Sequence, residues 1–138
     1  MRNPSEADSD ITTFFNIGLH KLSKGQLLDK IIRLAGKGKS VIAYANIKTM
    51  NLALDEGWYH DFLTSADLVY CDGFGVILGA RLAGLRISGH HRATCPDWLE
   101  ELAGKCAEKG RSLFLLAGNS QSTNTAAAVC SPRVAGIS

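Results

Sequence analysis

Apolar positions along this chain fall into two alternating patterns: short continuous runs, and longer stretches with apolar residues three and four apart. Runs of the first kind cover residues 40–45, 66–71 and 112–118, and they predict buried strands. The second kind begins behind Ser23, a helix cap, where Leu27, Leu28, Ile31, Ile32 and Leu34 share one helical face and Gly36 and Gly38 end the helix. Residues 48–56 and 58–65 predict two short helices separated by Gly57, and residues 76–83 a third closed by Gly84. Trp58, Tyr59 and Phe62 are expected in the core. Pro96 and Asp97 open a helix over residues 98–109, which Gly110 stops. Residues 14–22 predict a strand or extended segment, and residues 85–95 a loop.

Strands alternating with helices define an α/β fold, because parallel neighbours need the long crossovers that helices supply. The expected architecture is a Rossmann-like parallel sheet flanked by helices. Residues 1–13 are polar and predict a flexible arm, residues 14–118 the α/β domain, and residues 119–138 an atypical tail. That tail carries one charged residue, Arg133, and no leucine or aromatic, so it is expected to pack poorly and to leave the sheet incomplete.

Composition narrows the partners. A chain of 138 residues with 15 basic and 13 acidic side chains has a formal charge of +2, too slight to imply nucleic acid, which is not an expected partner. No apolar run approaches the ~20 residues that span a bilayer, and the polar start lacks the order of a secretory signal, so a cytoplasmic protein is expected. Peripheral membrane contact and self-association stay open. Cys71, Cys95, Cys106 and Cys130 form no C-x-x-C pair, and His90 and His91 are adjacent on a loop, so neither a disulfide framework nor a metal site is expected.

Candidate chemistry gathers at strand ends. Asp72 follows the run 66–71 and precedes Gly73 and Gly75, and ligands of open α/β sheets sit beyond the carboxyl ends of strands. The glycines allow a phosphate to approach the backbone where the next helix begins. Asn46 ends the run 40–45 in the same way and is equally suited to capping the following helix. The spacing Gly73-x-Gly75-x-x-x-Gly79 has one residue too many for a dinucleotide fingerprint, so a nicotinamide-dependent oxidoreductase is the weaker enzyme reading and no cofactor is expected.

The ordered set of Asn46 before a helix, residues 65–69, Asp72-Gly73-Phe74-Gly75-Val76, Arg92-Ala93-Thr94-Cys95-Pro96-Asp97 and residues 114–118 resembles the WecG/TagA/CpsF glycosyltransferase family. The resemblance spans residues 14–118. It implies transfer of N-acetylmannosamine, its uronic acid or a related hexose from a UDP-sugar donor to a polyprenyl-diphosphate-linked sugar acceptor in surface-polymer synthesis. It further implies Asp72 as general base, with Asn46, Gly73, Gly75, Arg92, Thr94 and Asp97 binding substrate. Arg92 is the expected cation for the leaving diphosphate, while Thr94 and Asp97 also suit capping of the next helix, a role that fits Asp97 better than ligand contact. Tyr44 stands where the family has threonine, and Cys95 where it has glycine. The family continues into a further strand, a Gln-Glu motif and a basic tail, so this chain is expected to be truncated, and a catalytically silent sugar-nucleotide-binding fragment is the alternative function.

Overall fold

The computed structural model describes residues 10–116 and 118–130. Residues 1–9 of the expected arm, Ala117 of the expected third strand run and residues 131–138 of the expected tail lie outside the described residues. The chain divides into two units, Met1–Cys95 and Pro96–Ser138, and the boundary falls inside the span expected as one domain.

The first unit opens with a hairpin of β1 (Ile11–Phe14) and β2 (Ile17–His20), paired antiparallel with Phe14 opposite Ile17. Residues 11–13 therefore belong to a strand and not to a loose arm. The turn residues Phe15 and Asn16 both have positive φ, 49° and 61°, the backbone that a two-residue hairpin turn requires. The Phe15 carbonyl lies 3.2 Å from His60 Nε2, which braces this unusual turn.

Helix α1 (Lys24–Ala35) starts at the Ser23 cap, where Ser23 and Gln26 exchange side-chain and backbone hydrogen bonds, and ends at Gly36. Its buried residues are Leu27, Leu28, Ile31 and Ile32, the apolar face read from the spacing. Strand β3 (Ile42–Ala45) follows, then α2 (Ile47–Asp55), α3 (Gly57–Ser65), β4 (Leu68–Cys71) and α4 (Phe74–Leu82). The four strands form one sheet in the order β1-β2-β4-β3, with β4 parallel to both its neighbours.

Position in the sheet explains burial. Central β4 is buried at all four residues, whereas β3, an edge strand of this sheet, buries Ala43 and Ala45 and leaves Tyr44 45% exposed. The uniformly buried strand expected at residues 40–45 is thus a half-buried one, because among the described residues no strand lies beyond it in the sheet. Ala43, Ala45, Val69 and Cys71 pack with Met50 and Ala53 of α2, Leu63 of α3 and Val76, Ile77 and Ala80 of α4. Trp58 and Phe62, expected in the core, are exposed instead, because α3 turns Leu63 inward with Tyr59 partly buried beside it.

In the second unit, α5 (Cys95–Glu108) ends before Gly110 at φ 61°, and α6 (Ser120–Cys130) starts at Asn119, whose side chain accepts the Ser122 N–H at 2.8 Å. The third strand expected over residues 112–118 does not form among the described residues: 111–116 join no ladder, and Phe114 and Leu116 are 87% and 90% exposed. Apolar sequence alone does not make a strand, because the backbone groups need a neighbour to pair with.

Candidate functional site at the carboxyl edge of the sheet

Strands β3 and β4 run in register with Ala45 opposite Cys71, so Asn46 and Asp72 leave the sheet side by side. The Asp72 N–H donates to the Ala45 carbonyl at 2.8 Å, extending the ladder to the last residue before the glycine. On the other flank of β4, β2 drops out after His20 pairs with Tyr70, and the next rung passes to the loop. There Cys71 bridges Arg92, and the Ala93 N–H donates to the Cys71 carbonyl at 2.9 Å. The structure thereby brings Asn46, Asp72, Gly73 and Arg92 to one edge, with Asp72 between the other two side-chain bearers.

Asn46 caps α2. Its Oδ1 accepts the Thr49 N–H at 2.9 Å, and the Asn46 N–H donates to Thr49 Oγ1 at 2.9 Å. The carboxamide NH2 is therefore the group Asn46 can turn to a ligand. Gly73, the residue before α4, has φ 144° and ψ 151°, a conformation open to glycine, and supplies no side-chain cap. First-turn N–H groups of α4 are then suited to an anion. Gly75 has a packing reason: a Cβ there would collide with the Ile47 side chain, so glycine lets the starts of α2 and α4 meet. Two helix N-termini, each with partial positive charge, thus converge beside Asp72.

Aromatic residues surround this edge. Phe74 is 63% exposed, and its ring lies 4.9 Å from Arg92 Cζ. Tyr70 faces Tyr44 across the β3–β4 pair with ring centroids 6.5 Å apart. Burial raises the Tyr70 phenol well above its usual range, and Cys95, Asp72 and Tyr44 add to the effect. Burial and the Asp72 charge likewise raise the Cys95 thiol, which keeps it protonated and poorly nucleophilic. Burial pushes Cys71 up to about 12, the behaviour of a core residue. Sequence reasoning missed Phe74 and Tyr70 as parts of the site. Strand alternation could have flagged Tyr70, two residues before Asp72, but nothing local announced that Phe74 meets Arg92.

Two further candidates follow Arg92 along the chain. Thr94 is half-buried between Ala93 and the start of α5, and Asp97 is exposed in the first turn of α5, in the second unit. His91 Nδ1 accepts the Ser88 N–H at 3.1 Å and so closes a short 3-10 turn at Gly89–His91. Among the described residues, no three His, Cys, Asp or Glu side chains gather to hold a metal ion. An open groove of 580 Å³ in the second unit is lined by Leu99, Glu100, Gln121 and Thr125 among others, and by none of the candidate residues.

An open, mostly parallel sheet with helices around it, and with polar groups at its carboxyl edge, defines this protein as an α/β protein of Rossmann-like architecture. The model of the Glycosyl transferase WecG/TagA/CpsF family matches residues 12–138. The chain belongs to that family, and its members are glycosyltransferases. The match extends beyond the 14–118 span of the sequence resemblance and includes the residues set apart as a tail. No curated protein matches the chain. Among the described residues, no helix is long and apolar enough to cross a membrane.

Proposed function

We propose that the protein transfers a hexose, N-acetylmannosamine, its uronic acid or a relative, from a UDP-sugar to a polyprenyl-diphosphate-linked sugar, with inversion at the anomeric carbon. The observation that carries this reading is the side-by-side exit of Asn46 and Asp72 from β3 and β4, with Arg92 on the rung beyond. An acceptor hydroxyl attacks the anomeric carbon, a new C–O bond forms as the bond to UDP breaks, and the hydroxyl proton passes to the Asp72 carboxylate. The departing diphosphate gathers negative charge, which Arg92 and the N–H groups after Gly73 and around Gly75 stabilise. Asn46 offers its NH2 to the sugar, and Thr94, two residues after Arg92 in the chain, adds a further substrate contact. The acceptor is a lipid, so the protein works in peripheral contact with a membrane, on cell-surface polysaccharide.

The test incubates the purified chain with UDP-N-acetylmannosamine and a polyprenyl-diphosphate-linked acceptor while UDP release is followed, and titrates UDP and NAD by calorimetry. Acceptor-dependent UDP release and UDP binding are expected. Heat from NAD with none from UDP would overturn the reading in favour of a dinucleotide enzyme, and UDP binding without turnover would mark a silent sugar-nucleotide-binding protein.

A further inference from the structure

We propose that Phe74 is a positioning residue for Arg92, its ring holding the guanidinium at the edge where the proposed reaction puts the leaving diphosphate; the inference rests on the reading of Arg92 given above. The first observation is that Phe74 is 63% exposed although it opens a helix whose other faces bury Val76, Ile77 and Ala80. Hydrophobic burial therefore does not account for the ring's position. The ring has a charged neighbour: Arg92 Cζ lies 4.9 Å from the ring centroid, within the range where a cation is drawn to the electron-rich face.

The backbone on both sides of the pair is constrained. Gly73 sets the direction in which Phe74 leaves β4, and the Ile47 side chain packs close to Gly75 in the first turn of α4. Arg92 is held through the Cys71 bridge. The ring also packs on the turn before Arg92, where a Cβ on Gly89 would sit 3.5 Å from Phe74 Cε1. With Phe74 and Arg92 each anchored at the backbone, the ring is one restraint on the long Arg92 side chain before the ligand arrives. Ordering that side chain in advance lowers the entropic cost of binding.

The test is a double-mutant cycle on the full chain, with UDP affinity by calorimetry and folding checked by thermal melting. Phe74→Leu is expected to weaken UDP binding about threefold, the size of an exposed cation–π contact, and Phe74→Trp to restore it. In an Arg92→Ala background, Phe74→Leu is expected to change nothing. Equal loss in both backgrounds would overturn the proposal by showing that Phe74 touches the nucleotide itself, and no loss in either would overturn it by showing that the ring carries no binding energy. Failure of Arg92→Ala alone to weaken UDP binding would instead refute the underlying reading of Arg92, which keeps the two failures distinct.

Discussion

Gly73→Ala probes the single backbone position on which Asp72, Phe74 and the start of α4 depend. At φ 144° and ψ 151°, an L side chain is strained by roughly 1–3 kcal/mol. A Cβ there would meet only Asn46 Cβ at 3.9 Å, an ordinary contact, so crowding contributes nothing. Alanine restricts the unfolded chain and recovers about 0.4–1 kcal/mol, which leaves a net loss of roughly 0.5–2 kcal/mol. The chain can respond in two ways. It can keep the geometry and lose stability, which lowers the urea midpoint by about 0.25–1 M at a slope of about 2 kcal/mol/M. It can instead relax to a negative φ, rotating Phe74 and the first turn of α4 away from Asp72 and weakening UDP binding. Urea melts and UDP titration on the same preparation distinguish these responses, and at least one of the two readings must fall. A variant with an unchanged midpoint and unchanged UDP affinity would refute the assignment of Gly73 as the strained joint of the site.

Other outcomes follow from named contacts. Asp72→Asn is expected to lower turnover by about a hundredfold to ten-thousandfold with UDP affinity nearly intact, and wild-type UDP release would remove Asp72 from the mechanism. Arg92→Ala is expected to weaken UDP binding roughly tenfold or more, as loss of a charge-assisted contact does, with calorimetry as the readout. His20 is 8% exposed, with Nδ1 3.2 Å from the Val69 N. Burial, then Lys30, lower its pKa below 6.5, against smaller opposing effects of Val69 and Asp10. The unfolded chain then binds the proton first, so this contribution to stability is whole above about pH 6.5 and is lost as pH falls toward the lower folded value. His91, also lowered by burial, acts in the same direction. Urea melts between pH 5 and 8 should therefore show a shallower acid slope for His20→Asn than for wild type, and equal slopes would clear His20.

Elements governed by local signals were legible in the sequence. The Ser23 cap, the Leu27 to Ile32 face and the Gly36 stop describe α1 without reference to the rest of the molecule. Its hydrogen bonds close within a few residues. The hairpin was not legible, because its turn is Phe15-Asn16 and lacks the glycine that usually announces positive φ. Its support comes from His60, forty-five residues away. The run at residues 112–116 misled for a related reason: continuous apolar sequence signals a strand only if a ladder forms beside it, and Phe114 and Leu116 stay exposed.

The candidate site separates along the same line. Asn46 and Asp72 could be picked out as strand-end polar residues, but their adjacency depends on Ala45 standing opposite Cys71, a register that no local pattern specifies. Arg92 approaches because β2 ends one rung early and a loop takes the vacated place, an event decided by where His20 pairs. The two glycines show how one signal can have two causes. Read together they suggested a phosphate cradle, yet Gly73 answers a backbone demand and Gly75 answers the approach of Ile47. A packing glycine and a ligand glycine need not conflict here. The Ile47 side chain that a Cβ at residue 75 would meet lies where the start of α2 comes against the start of α4, so the same bare backbone that admits Ile47 leaves two positive helix ends beside the Asp72 carboxylate.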